Sequence, residues 1–318
     1  MGIKIILLII FFAVMAAVGI YSRRHVTSVD GFVLGGRSVG PWLTAFAYGT
    51  SYFSAVVFVG YAGQFGWKYG IASTWIGIGN ALIGSLLAWV VLGRRTKVMT
   101  QHLGSRTMPD FFGERYKSKS LKITASVIVF VFLIPYTASV YNGLSRLFAM
   151  AFNIPYTWCV VTMAAFTALY VILGGYMATA INDFIQGIIM LIGIVAVIAA
   201  VLNGQGGFMN AIAEMAKIPS DVPLTQGQPG AFTSFFGPDP VNLLGVVLLT
   251  SLGTWGLPQM VHKFYAIKNT DGIRKGAVIS TIFALVVAGG SYFMGGFDRL
   301  GWPVALQLGM ESAAFTLS

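Results

Sequence analysis

The chain has 318 residues, of which 56% are hydrophobic and only 9% charged, with a formal net charge of +10 and a mean hydropathy of +0.78. Soluble domains carry about 25% charged residues and bury at most roughly 75% of their surface near this length, so the main solvent is lipid, and a soluble enzyme or a secreted disulfide scaffold is excluded. The apolar runs are continuous and helix-length, which excludes an outer-membrane barrel, and the 20 Lys and Arg lie between those runs, where they set membrane orientation and form no nucleic-acid footprint.

Eight apolar segments of spanning length are read, at about 3–21, 40–66, 71–92, 121–152, 155–175, 178–202, 241–261 and 276–297. The fold class expected is an all-α polytopic membrane protein. In the first segment Lys4 precedes the apolar run and Arg23 and Arg24 follow it. That is the reverse of a signal peptide, and it places the N-terminus outside. Alternating the spans from there puts 15 of the 20 basic residues inside, eight of them in and beside 93–120. The asymmetry supports this orientation.

The second segment is interrupted near its middle by Gly49, Thr50, Ser51 and Ser54, and Gly60, Gly63, Gly66 and Gly70 follow. Glycine in a helix interior costs about 1 kcal/mol relative to alanine. The neighbouring hydroxyls offer oxygen ligands and re-satisfy freed backbone groups. Cys159, inside the fifth segment, is the chain's single cysteine and reads as a small packing residue. The loop 203–240 is rich in Gly and Pro, and its stretch 208–217 is expected as a short interfacial helix. The seventh segment repeats the interruption with Thr250, Ser251, Gly253, Thr254, Gly256 and Pro258. Two interrupted helices five spans apart point to an inverted-repeat transporter with its site at the midplane.

No Asp, Glu, Lys or Arg falls at the middle of a span. Arg146 and Asp183 lie near ends, and His25, His102 and His262 fall in basic segments read as solvated cytoplasmic loops. A coupling ion is therefore expected on backbone carbonyls and hydroxyls, the ligands of a hard cation. An intramembrane enzyme needs a nucleophile–base pair or metal ligands at membrane depth, and the sequence offers neither. The competing class is a non-transporting fragment or a membrane sensor.

Three stretches carry a resemblance: Asp30–Gly31–Phe32–Val33–Leu34–Gly35–Gly36–Arg37 running into Gly40–Pro41–Trp42, then 107–116 (TMPDFFGERY), then Gly174–Gly175–Tyr176–Met177–Ala178 followed by 182–186 (NDFIQ). With the span pattern over residues 1 to about 297, the chain resembles the sodium:solute symporter family, which includes sodium/proline, sodium/pantothenate and sodium/sugar carriers. The resemblance implies a LeuT-type inverted-repeat bundle behind one extra N-terminal helix. The first repeat is placed at about 40–202 and the start of an incomplete second at 241–297, with 298–318 an atypical tail. Members of the family carry more spans than are read here, so a C-terminally truncated carrier is expected.

The same resemblance implies sodium as coupling ion, held by the backbone carbonyls of Thr50 and Phe53, with Asp183 in ion coupling. Asn182 stands before Asp183, where the family usually has Thr. Solute contacts are carried over to Ser54, Val57, Ser251, Thr254 and Trp255. This set lacks the polar residues of sugar carriers, and Gly256–Leu257–Pro258–Gln259 looks more like carriers of carboxylate-bearing solutes. Expected, then, is import of a small carboxylate-bearing or amino-acid-like solute by alternating access across the plasma (inner) membrane, without an organic cofactor.

Overall fold

The computed structural model describes residues 2–53 and 56–301, which form helices joined by turns. Helix α1 (Gly2–Ser22) is followed by the short α2 (Val29–Leu34), whose N-cap Ser28 accepts a hydrogen bond from the Gly31 amide. Helix α3 (Pro41–Tyr52) has its proline in the first turn, where the missing N–H costs nothing. Beyond the break, wide i→i+5 turns at Val56–Tyr61 lead into α4 (Ala62–Tyr69). Helix α5 (Thr74–Gly79) continues through further wide turns, Asn80–Leu87 and Trp89–Gly93, into α6 (Arg94–His102).

Helix α7 (Met108–Tyr116) stops at Lys117, which is left-handed (φ 48), and Ser118 then caps α8 (Lys119–Phe152). Helix α9 (Tyr156–Gly204) has 49 residues, so a straight rod would run about 74 Å against a hydrocarbon core of about 30 Å. It is not straight: Gly175 takes φ 55, ψ −149 and divides it into two lengths. A Cβ there would lie 2.8 Å from the Phe32 carbonyl oxygen of α2, so glycine is required both by the backbone angle and by the close approach.

The loop 203–240 carries α10 (Phe208–Ala216). A helix forms where one was expected, with Ala211 and Met215 buried against Phe232 and Phe297 and Met209 exposed. Helices α11 (Pro240–Leu252) and α12 (Pro258–Ala266) follow, bent by 53° at a break centred on Leu257. Helix α13 (Asp271–Ala284) passes through a wide turn into α14 (Gly290–Gly295).

Packing sorts these elements around α9. Its first length takes α1, with Phe12 and Phe166 rings 4.7 Å apart. Its second length takes α3 and α13, where Phe46 meets Phe184 at 4.7 Å and Phe283 at 5.2 Å. Helices α4 and α14 cross backbone to backbone: a Cβ on Gly66 would fall 2.0 Å from the Gly295 carbonyl, the close approach that small residues permit in membranes. Large apolar residues such as Phe130 and Phe132 on α8 and Val241 and Leu249 on α11 face outward, as lipid-facing surfaces do.

Among the described residues, five helices are long and apolar enough to cross a bilayer, or six if the bent α11–α12 pair is one span. The sequence divides the same material more finely, reading α9 as two segments and α3 to α4 as one interrupted span. Of the expected tail 298–318, only 298–301 is described. There Arg299 donates to the Trp67 carbonyl (2.5 Å) and pairs with Asp221 (2.7 Å), its guanidinium 3.8 Å from the Phe232 ring centre.

Candidate functional site

The breaks in α3 and α11 meet. At the end of α3, Phe53 leaves helical geometry (φ −98, ψ 70) while its amide still bonds back to Gly49. Thr50 lies in the last turn of α3, where carbonyls lack an intrahelical donor, and Phe53 is the C-cap. These are the two carbonyl positions expected for sodium. The Thr50 hydroxyl folds back onto the Phe46 carbonyl at 2.9 Å. The Phe53 ring is buried and stacks on Tyr52 at 4.4 Å.

Helix α11 ends similarly, passing at Gly253–Gly256 into a tighter turn. The Thr250 carbonyl accepts the Tyr52 hydroxyl at 2.9 Å, and the Ser251 carbonyl accepts the Thr254 hydroxyl at 2.9 Å. Against the end of α11 stands Asn80, at the start of the wide turn Asn80–Leu87. Its Oδ1 accepts both the Thr250 hydroxyl (2.9 Å) and the Ser251 hydroxyl (3.1 Å). Trp255 is tied to the same segment by its indole N–H, which donates to the Ile83 carbonyl at 3.1 Å. Sequence reasoning missed Asn80; the available signal was a lone amide inside the apolar run 71–92.

Of the expected solute contacts, Ser251, Thr254 and Trp255 thus share one junction with Tyr52 and Asn80. Val57 packs instead with Ala62, Tyr69, Ile76 and Val247. Ser54 lies outside the described residues.

Asp183 sits within α9, beside the Thr50 hydroxyl and 3.5 Å from the Lys263 ammonium. It lies about two turns past Gly175, too deep in the helix to serve as an N-cap. Two sequence expectations are corrected here. His262 was read as a solvated loop residue, and Lys263 was counted among the inner basic loop residues. Lys263 is only 7% exposed, and a His262 ring nitrogen bonds the Val33 carbonyl at 2.8 Å. The chain does not enter a loop after span seven. It bends at Leu257 and carries both side chains inward on α12, against α2 and Tyr176.

The first of the stretches that carried the resemblance holds the third directly and the residues just before the second. Asp30 pairs with Arg106 (2.5 Å), and Arg37 donates to the Ser105 carbonyl (2.7 Å). Phe32 packs over the Gly175 break. Asp110 pairs with Lys122 at 2.7 Å. Burial pushes the Asp110 carboxyl up, but the Lys122 ammonium and neighbouring donors outweigh it and hold the group below its ordinary value. For Arg37, burial pulls the guanidinium below its ordinary value.

Residues 32–300 match the family model described as the sodium:solute symporter family. Sodium/proline symporters of Staphylococcus aureus strains JH9 and JH1 are each 33% identical over 272 residues, covering 83% of this chain and 50% of the relative. The chain thus spans about half the length of these curated relatives. A solved structure, the substrate-bound outward-open state of a Na+-coupled sialic acid symporter, superposes with a TM-score of 0.73 at 16% identity, over 96% of this chain and 63% of the other. At that identity the likeness speaks to fold, and the fold is the LeuT-type bundle. Family and relatives alike are transporters and not enzymes. The chain belongs to the sodium:solute symporter family.

Proposed function

We propose that the chain works in sodium-coupled import of a small carboxylate-bearing or amino-acid-like solute by alternating access. The observation that carries this reading is the junction of two broken helices, where Tyr52, Asn80, Thr250 and Ser251 meet. Discontinuous helices in transporters aim half-helix termini at solute and ion. Thr50 and Phe53 supply carbonyls for sodium, and Asp183 supplies the negative charge that draws the cation in. Ser251, Thr254 and Trp255, with Asn80 added, form the solute side, and Ser54 joins them in this reading. Hydroxyls and amides without a basic side chain at this junction suit a solute whose carboxylate is neutralised by the bound cation.

The sodium/proline relatives make L-proline the first solute to try. The inside-positive count of basic residues supports eight crossings of the plasma membrane with the N-terminus outside. The repeat boundaries at about 40–202 and 241–297 belong to the same reading. The test is uptake of radiolabelled L-proline, acetate and glucose into vesicles containing the purified chain, under an inward sodium gradient. Sodium-driven uptake of L-proline or acetate over glucose is expected; equal uptake under sodium and choline gradients overturns it.

A further inference from the structure

Lys263 and Asp183 stand 3.5 Å apart, with side chains 8% and 22% exposed. Charge-assisted hydrogen bonds are normally about 2.7–2.9 Å, so the two groups are paired without being clamped. The pair lies where three breaks converge. Asp183 follows the Gly175 break in α9, and Lys263 follows the Leu257 break in α12. The Thr50 hydroxyl, from the last turn of α3 before its own break, lies beside the same carboxyl. Removing one partner of a buried ion pair leaves an uncompensated charge, so while it is ionised and buried Asp183 needs a cation beside it.

Two further groups bear on where that cation goes. Among the described residues, both side-chain amide atoms of Gln259 are buried without a hydrogen-bond partner, and so is the Tyr176 hydroxyl. Buried polar groups are nearly always satisfied. Gln259 is four residues before Lys263 in the same helix and therefore on the same face. Its free carbonyl oxygen lies one turn back from the ammonium's attachment point. The Tyr176 ring already holds the ammonium at 5.3 Å, an attractive cation–π distance.

We propose that Lys263 is a tethered competitor for the coupling sodium. Its ammonium occupies the Asp183 carboxylate while sodium is absent. Sodium arriving at Asp183 drives it one turn back to the Gln259 amide, and α12 shifts about the Leu257 break. An ion moves a conformational equilibrium only by its differential affinity for the two states. Here the difference is electrostatic, because the single negative charge of one carboxylate cannot neutralise two adjacent cations, which repel each other across it. Lys263 is thus a positioning residue: it sets how much sodium is needed and links the ion's arrival to helix movement. The inference rests on the sodium-coupled reading above.

The test is the unfolding midpoint of the purified chain in lipid nanodiscs during a sodium chloride titration, with choline chloride holding ionic strength constant. Lys263→Gln removes the competitor and is expected to lower half-saturating sodium at least tenfold. Gln259→Leu leaves the pair intact, removes the resting place and is expected to raise half-saturating sodium several-fold. It also serves if Lys263→Gln fails to fold. The doubly neutral Asp183→Asn/Lys263→Gln variant leaves no charge unpaired and should lose the sodium response while staying folded. A wild-type response that neither Lys263→Gln nor Gln259→Leu alters overturns the competitor role alone. No sodium response in wild type or in either single variant overturns the sodium-coupled reading and this proposal together.

Discussion

Asn80→Ala tests the junction of the two broken helices. The substitution removes one acceptor that serves two hydroxyls. Thr250 keeps a second acceptor, the Val246 carbonyl at 2.9 Å, whereas Ser251, fully buried, keeps only the neighbouring Tyr52 phenol oxygen. A hydrogen bond contributes about 0.5–1.5 kcal/mol net, and a buried group left unsatisfied costs about 1–3 kcal/mol. Interhelical polar couplings in membrane proteins average about 0.6 kcal/mol with a maximum of about 1.7. Loss of about 1–2 kcal/mol is therefore expected, dominated by Ser251. The assay is a double-mutant cycle of Asn80→Ala and Ser251→Ala, followed by reversible unfolding in mixed micelles. A coupling of about 0.6–1.5 kcal/mol is expected. Additive effects would refute the argument, because they would mean that the two side chains do not act on each other.

The remaining predictions concern other links in the account. Thr254→Val should change solute affinity less than Asn80→Ala does, since the Thr254 hydroxyl is turned onto its own helix; binding of the transported solute to each variant decides the order. Gly175→Ala forces a side chain into a backbone region that disfavours it and against Phe32, so a loss of at least about 1–3 kcal/mol is expected in the same unfolding assay. Cysteine placed at the exposed Ser120 should resist an impermeant thiol reagent in intact cells and react once the membrane is opened; ready labelling from outside would reverse the orientation. The lowered carboxyl of Asp110 contributes stability above its ordinary value of 3.8, and that contribution is lost as pH falls through the lower folded value. Because Lys122 is half exposed, the effect stays below about 1 kcal/mol, and Asp110→Asn should flatten this part of the acid unfolding curve.

The sequence already showed the bundle and its weak points, for definite reasons. Hydrophobic runs of spanning length have few structural alternatives in lipid, and clustered Gly, Ser and Thr in such runs mark the places where α3 and α11 stop. The Gly174–Gly175 pair was legible as part of a motif, although its role in bending α9 was not. What stayed hidden depended on angles between elements. Lys263 and His262 looked like the basic edge of a loop because charge position along a chain does not reveal a 53° bend. Asn80 was passed over because one amide in an apolar run acquires meaning only when Thr250 and Ser251, 170 and 171 residues later, are seen beside it.

The most direct test of the central claim is equilibrium binding of radioactive sodium to the purified chain, competed by unlabelled sodium, potassium or choline. The account predicts saturable binding, displaced by sodium far better than by potassium or choline and abolished in the doubly neutral Asp183→Asn/Lys263→Gln variant, which leaves no buried charge unpaired. Binding that potassium displaces equally well, or that survives unchanged in the doubly neutral variant, would contradict it.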